Sequence, residues 1–271
     1  VASYEDKKKA LLALMDDLME QDCVVAFSGG VDSSLLLCLA CKYGKKHGTK
    51  VYGVMIRSIL QPAKDYSIAK DVADELGAWF ETLDIDELSV PQILGNSTQR
   101  CYYCKKFLFT SLLDFARERG IATVLEGTNE DDLHVYRPGL KAIRELGVIS
   151  PLAQAGLTKD DVRQMALEYG ISVSRRPSAP CLATRFPYDT ALTVEGLRTV
   201  EKGEQILKDA GFEVVRLRVH GNIARIEITP EEMPRILERR RELTEKIKAL
   251  GYTYVTLDLE GFRSGSMDVG L

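Results

Sequence analysis

Residues 5–20 place Leu11, Leu12, Met15, Leu18 and Met19 on one side of a 3.6-residue repeat, which predicts an amphipathic helix. The unbroken apolar run 23–27 predicts a buried strand, and 35–40 the helix that follows it. A second strand is predicted at 50–56, a helix at 66–76 ended by Gly77, and a third strand at 78–85. A helix at 103–119 stops at Gly120, and a fourth strand covers 122–126. Strands alternating with helices predict a parallel sheet wound by right-handed crossovers. Ligands of such sheets gather at the carboxyl ends of the strands. Those ends carry residues 28–34, the stretch after Ile56, and residues 128–132.

The pattern changes near Phe186-Pro187-Tyr188. Beyond it a helix is predicted at 193–210 and two strands at 213–219 and 224–229, with Gly221-Asn222 as their hairpin turn. A helix at 230–250 and a strand at 254–259 follow. The expected organisation is an α/β domain over 1–185 and a smaller C-terminal α+β domain over 186–271. No repeat or low-complexity segment interrupts it. With 45% hydrophobic residues the composition is that of an ordinary globular chain. The 36 basic against 40 acidic residues, net −4, argue against nucleic acid as the main partner. No apolar run is long enough for a bilayer and no signal-peptide pattern opens the chain, so the expected location is cytoplasmic, with no membrane contact. In that setting six cysteines are not a disulfide framework.

The first strand runs into Ser28-Gly29-Gly30-Val31-Asp32-Ser33-Ser34. A strand-to-helix turn presents backbone N–H groups and the positive helix end to an anion. Gly29 and Gly30 let the backbone approach phosphate, and Ser28, Ser33 and Ser34 add hydroxyls. Asp32 is out of place beside phosphate unless a metal ion neutralises it. No Gly-Lys-Ser/Thr follows, so this is not a Walker A loop. The run resembles the PP-loop of ATP pyrophosphatases, and that resemblance implies cleavage of ATP between the α and β phosphates, with AMP passed to an oxygen of the substrate. At the other strand end, Thr128, Asp131 and Asp132 are candidates for nucleotide or Mg²⁺ contacts, or for capping the next helix. Lys105 and Arg137 lie near motif residues and are candidates for phosphate or carboxylate contacts, or for surface ion pairs.

Cys23, Cys38 and Cys41 sit within apolar patterns and read as core. Cys101 and Cys104 form a Cys-x-x-Cys, and Cys181 stands far downstream beside loop residues. Three thiolates suit a [4Fe–4S] cluster with one open iron. The competing readings are a thiol–disulfide pair with an unrelated Cys181, or a zinc site completed by His134. Arg216 and Arg218 alternate on a strand and so face one way, as a phosphate clamp or a solvated face would. Trp79 is expected in the core, His47 solvated at a helix end, and His220 has no assigned role.

Further segments extend the resemblance to nearly the whole chain: Tyr136-Arg137-Pro138-Gly139-Leu140-Lys141-Ala142, 181–188, Arg216-Leu217-Arg218, Ile223-Ala224-Arg225-Ile226-Glu227 and Gly261-Phe262-Arg263-Ser264-Gly265. In these the chain resembles the LarE family, sulfur-inserting PP-loop enzymes of nickel-pincer cofactor synthesis. The resemblance implies ATP, Mg²⁺ and a nicotinate-derived pyridinium mononucleotide whose carboxylates become thiocarboxylates. It implies Arg216, Arg218 and Lys105 at the substrate phosphate, and a metal-binding acid at Glu204 whose acidic companion falls here on Arg235. In part of the family one cysteine, here matched by Cys181, gives up its own sulfur. In other members three cysteines hold a cluster that carries sulfide, and the trio Cys101, Cys104 and Cys181 favours that version. The sulfur then comes from sulfide or another donor, and a homo-oligomer is expected by resemblance. The rivals are a cluster-dependent tRNA thiolase, a non-catalytic nucleotide-binding or redox module, and an amide-forming ligase, whose ammonia chemistry has no use for the cysteines.

Overall fold

The computed structural model describes residues 2–135, 137–176, 181–263 and 266. The chain packs as two compact units, Val1–Glu87 with Gln99–Ala179, and Leu88–Thr98 with Pro180–Leu271. A boundary after residue 185 leaves 88–98 and 181–185 in the first domain; in the structure both segments cluster with the C-terminal unit.

In the first unit four strands, β1 (Cys23–Ala26), β2 (Val51–Arg57), β3 (Trp79–Asp84) and β4 (Thr123–Leu125), form a parallel sheet in the order β3-β2-β1-β4. Successive residues of β1 divide between two apolar clusters. Cys23 and Val25 pack with Leu35, Leu36 and Leu39 of the helix Val31–His47, and Val24 packs with Phe109 and Leu112 of the helix Arg100–Glu118. Burial on both faces is why this strand reads as a continuous apolar run. β3 is an edge strand, and there the core expectation for Trp79 fails. Its ring is 55% exposed, edge-on to Tyr52 at 5.3 Å and beneath the Lys50 ammonium. His47 is exposed at the end of its helix, as expected, and meets Asp16 at 2.6 Å.

The sequence pattern did not predict the helices Gly139–Glu145 and Lys159–Glu168. The second starts at a capping box in which Thr158 accepts from the Asp161 N–H and Asp161 accepts from the Thr158 N–H. Its short length and few apolar positions hid it, although Thr-x-x-Asp marks its start.

In the C-terminal unit β5 (Val215–His220) and β6 (Ile223–Ile228) form the expected hairpin, and β7 (Tyr254–Leu257) pairs parallel to β6. The single helix expected at 230–250 is a 3-10 turn, Pro230–Glu232, and two helices, Met233–Glu238 and Arg240–Lys248, broken at Arg239. The segment Leu88–Thr98 is held in this unit by Asn96, which is fully buried with φ +53°. Its amide donates to the carbonyls of Phe186 (3.2 Å) and Pro187 (2.7 Å), and its own carbonyl accepts from Asp189 N–H at 3.1 Å. Asn tolerates this left-handed conformation better than most residues. Asn96→Ala therefore combines backbone strain with two unpaired carbonyls, and is expected to lower stability by about 2–4 kcal/mol, read as a shift in urea midpoint at unchanged slope.

Candidate functional site

A cleft of about 250 Å³ opens at the carboxyl edge of the parallel sheet. Phe27, Val54, Ile56, Leu108 and Phe109 form its apolar wall, and Ser28, Gly30, Asp32, Ser33 and Thr128 are among its polar lining. The loop between β1 and the following helix is ordered by its own hydroxyls. Ser33 Oγ donates to Gly30 O (3.1 Å) and accepts from the Ser28 N–H (3.3 Å). Ser34 Oγ is wholly buried and finds no partner among the described residues. Gly29 has φ +68°, and a Cβ there would stand 2.9 Å from Ala69 Cα. Its carbonyl accepts from Arg176 Nη1 at 3.1 Å, while Arg176 Nη2 is paired with Asp65. Gly127 closes the other side, where a Cβ would come within 3.1 Å of Ser33 N. The two glycines let neighbouring chain segments meet the loop at backbone distance.

Asp32, expected beside a metal ion, is neutralised in the structure by Lys159, which sequence reasoning missed; Asn129 Nδ2 donates to its other oxygen at 3.0 Å. Glu126 was missed as well. It is 4% exposed, lines the cleft, and accepts from Thr128 N–H (3.0 Å), Thr128 Oγ1 (2.9 Å) and Ser150 Oγ. Its signal was an acid closing an apolar strand. Thr128 thus stands in the cleft with its hydroxyl turned to Glu126. Asp131 does not line the cleft; it accepts from the Lys159 N–H at 2.8 Å, at the start of the helix Lys159–Glu168 rather than at the next helix. Asp132 does line it, paired with Arg137 at 2.9 Å. Lys105 lines the cleft with its ammonium 4.9 Å from the centre of the Phe109 ring and makes no ion pair among the described residues.

Cys101 and Cys104 occupy the first turns of the helix Arg100–Glu118, which begins earlier than the apolar pattern indicated. Their spacing puts them on one helical face, one exposed and the other half-buried, and Arg100 Nη2 approaches Cys101 Sγ at 3.6 Å. The same helix supplies Lys105, Leu108 and Phe109 to the cleft. His134, the alternative zinc ligand, pairs with Glu130 at 2.9 Å.

Cys181, half-buried, belongs to the C-terminal unit. Its carbonyl accepts from Arg185 Nη1 at 3.1 Å. Arg185 is 2% exposed and meets both oxygens of Glu204, Nε to Oε1 at 2.7 Å and Nη2 to Oε2 at 3.0 Å. Glu204 also accepts from Leu217 N–H at 3.1 Å. This corrects its expected role: a carboxylate whose two oxygens are bound by a buried guanidinium is a core ion pair rather than an open metal ligand. Arg235, at the companion position, lies over the Phe212 ring at 4.2 Å and pairs with Glu232. The expected arginine clamp is corrected too. Arg218 is 4% exposed, bound by Glu227 at 3.0 Å and by Thr184 O at 2.6 Å. Arg216 is half-buried, 5.1 Å from the Phe262 ring, and donates to Val215 O. Burial, then the nearby Arg185, brings its pKa down to about 10. An arginine so placed gains from an added anion.

A family model described as NAD synthase matches residues 4–120. The pyridinium-3,5-bisthiocarboxylic acid mononucleotide synthase of Lactiplantibacillus plantarum is 38% identical over 269 residues, 99% of this chain and 96% of that protein. An uncharacterised protein of Synechocystis sp. is 36% identical over 90% of this chain and 91% of its own length. The tRNA-specific 2-thiouridylase MnmA of Thermus thermophilus is 29% identical over 58% of this chain and 52% of that enzyme. With likeness to the synthase running the length of both chains, and with its glycine-bounded phosphate loop at the sheet edge, this chain belongs to the LarE family of PP-loop sulfur transferases.

Proposed function

We propose that this protein inserts sulfur into a carboxylate of a pyridinium mononucleotide at the expense of ATP. The observation that carries the reading is the helix Arg100–Glu118, which delivers Lys105 and Phe109 to the nucleotide cleft and carries Cys101 and Cys104 one turn away.

A carboxylate is a poor electrophile. Attack of its oxygen on the α phosphorus of ATP breaks the α–β anhydride, releases pyrophosphate and leaves an acyl adenylate. Sulfur then adds to the acyl carbon, and the bond to AMP breaks. In this chain the loop 28–34 holds the departing pyrophosphate through N–H and hydroxyl donors, and the apolar wall takes the base. Asp32 is the carboxylate that would hold Mg²⁺ against the phosphates. Lys105 and Arg137 balance charge on the substrate side, and Arg216 is the remaining candidate for the substrate phosphate. Cys101, Cys104 and Cys181 are the residues that would hold a [4Fe–4S] cluster under this reading. Such a cluster, when bound, supplies an open iron on which inorganic sulfide is held. Under this reading none of the three cysteines is consumed, and the protein acts as a homo-oligomer.

Oxygen-free purification with iron and sulfide analysis tests the reading. Each of Cys101→Ser, Cys104→Ser and Cys181→Ser is expected to lose more than about nine-tenths of the bound iron, because a cluster site missing one leg binds poorly. Loss of one sulfur from the protein's mass after a single turnover, with Cys181 alone required, would establish the sacrificial route instead. Tight, salt-sensitive tRNA binding would favour a tRNA thiolase.

A further inference from the structure

Asp32 is the one acid in the phosphate loop, and both of its oxygens are engaged, one by Asn129 and the other by the ammonium of Lys159. Lys159 is the first residue of the helix Lys159–Glu168. Its backbone is pinned, since the capping box of Thr158 and Asp161 sets the helix start and its own N–H donates to Asp131. Its side chain is not pinned in the same way. It is 28% exposed, and Asp32 is 20% exposed, so the pair is reached by solvent. A lysine stem has four rotatable bonds and ends in a point charge that serves any oxygen it can reach.

A divalent cation binds hard oxygens at about 2.1 Å and excludes an ammonium from the same oxygen. A triphosphate entering the loop also meets Asp32 as a like charge unless a cation stands between them. We propose that Lys159 is a displaceable counterion. It holds Asp32 in the metal-free protein, yields that carboxylate to an incoming divalent cation, and turns to the phosphates of the bound nucleotide. This makes Lys159 a cationic residue for the polyphosphate, supplied from outside the loop motif. The inference rests on the ATP reading above, and adds to it the residue that exchanges partners when metal and nucleotide arrive.

The experiment uses the full chain and two titrations. In the first, Mn²⁺ is titrated into nucleotide-free protein and free ion is read by electron paramagnetic resonance. Lys159→Met, which keeps the length and removes the charge, is expected to bind Mn²⁺ about tenfold more tightly than wild type, because the competing cation is gone. In the second, a non-hydrolysable ATP analogue is titrated calorimetrically in saturating Mg²⁺, which occupies Asp32 in every protein compared. Lys159→Met is expected to bind it about tenfold more weakly, and Lys159→Arg near the wild-type value, since charge is retained. The two shifts have opposite signs, which damage to the fold does not produce. Asp32→Asn provides the second check and is expected to abolish the Mn²⁺ gain in the double variant. Unchanged or weaker Mn²⁺ binding by Lys159→Met overturns the proposal, as does unchanged binding of the analogue. A wild-type chain that binds no nucleotide at all refutes the ATP reading, while the Mn²⁺ titration still decides whether Lys159 guards Asp32.

Discussion

Replacing Arg185 by methionine is expected to destabilise the C-terminal unit by about 3–5 kcal/mol, because it strands the carboxylate of Glu204 in the core. Arg185 and Glu204 are 2% and 3% exposed and joined by two hydrogen bonds, so neither charge is served by water. The variant also loses the donor to Cys181 O, which loosens the attachment of that cysteine. Urea denaturation measures the loss. Adding Glu204→Gln removes the stranded charge while keeping an acceptor for Leu217 N–H, so the double variant should recover a large share of the stability. A double variant no more stable than Arg185→Met would show that the pair contributes through shape alone.

The pH dependence carries the same signature. Burial works against ionisation of Glu204, but the hydrogen bonds and charge of Arg185, with Leu217 N–H, hold its carboxyl below the ordinary value of 4.5. A depressed folded value means that the wild-type contribution is complete above the unfolded value and is lost as pH falls through the folded one. In Arg185→Met burial, the Leu217 N–H and the charge of Arg216 remain, and burial, the largest of these, is expected to raise the carboxyl above the unfolded value. Protonation then favours the fold. The difference between the two proteins should therefore narrow as pH falls from about 7 to about 4.

Gly29→Ala is expected to cut pyrophosphate release by about two orders of magnitude, with only a modest loss of global stability. An L residue at φ +68° costs about 1–2 kcal/mol, and its Cβ would stand 2.9 Å from Ala69 Cα and 3.1 Å from Ala69 N. These are backbone atoms of the helix Lys64–Leu76 and cannot turn aside as a side chain would. The loop must shift, which misaims the N–H groups that hold the phosphates and breaks the register of Arg176 on Gly29 O. Gly30→Ala is the control. Gly30 has an ordinary φ of −83°, and a Cβ there would meet only Ser28 Oγ at 3.5 Å. That variant should fold and melt as wild type, so any activity it loses reports phosphate approach to the loop. Equal melting and equal activity for Gly29→Ala and wild type would show that the loop tolerates the added carbon.

The relation of sequence to structure differs between elements for identifiable reasons. Strand β1 was legible because it is buried on both faces. The helix Lys159–Glu168 was not, because it is short, polar and declared only by its capping box. Trp79 reads as core from its place in an apolar strand, and the edge position of β3 exposes it. The predicted helix over 230–250 kept its periodicity across Arg239, where the backbone leaves helical geometry at φ −95°, ψ 11°. For the candidate site, the phosphate loop could be read directly, since its residues are contiguous and act through backbone and hydroxyl groups.

By itself the sequence determined the parallel α/β core, the β5–β6 hairpin, the phosphate loop with its two glycines, and the Cys-x-x-Cys spacing. All of these follow from neighbours in the chain, through periodicity, turn preference and steric allowance. Only the tertiary structure decided which charges are partners: Lys159 for Asp32 across 127 residues, Arg185 for Glu204, and Glu227 for Arg218. Those pairings turned an expected metal ligand and one arm of an expected clamp into buried ion pairs, and showed a cation at a loop whose own segment carries none. The physical reason is that a charge is claimed by whatever opposite charge the packing brings within reach, and local pattern holds no record of that encounter.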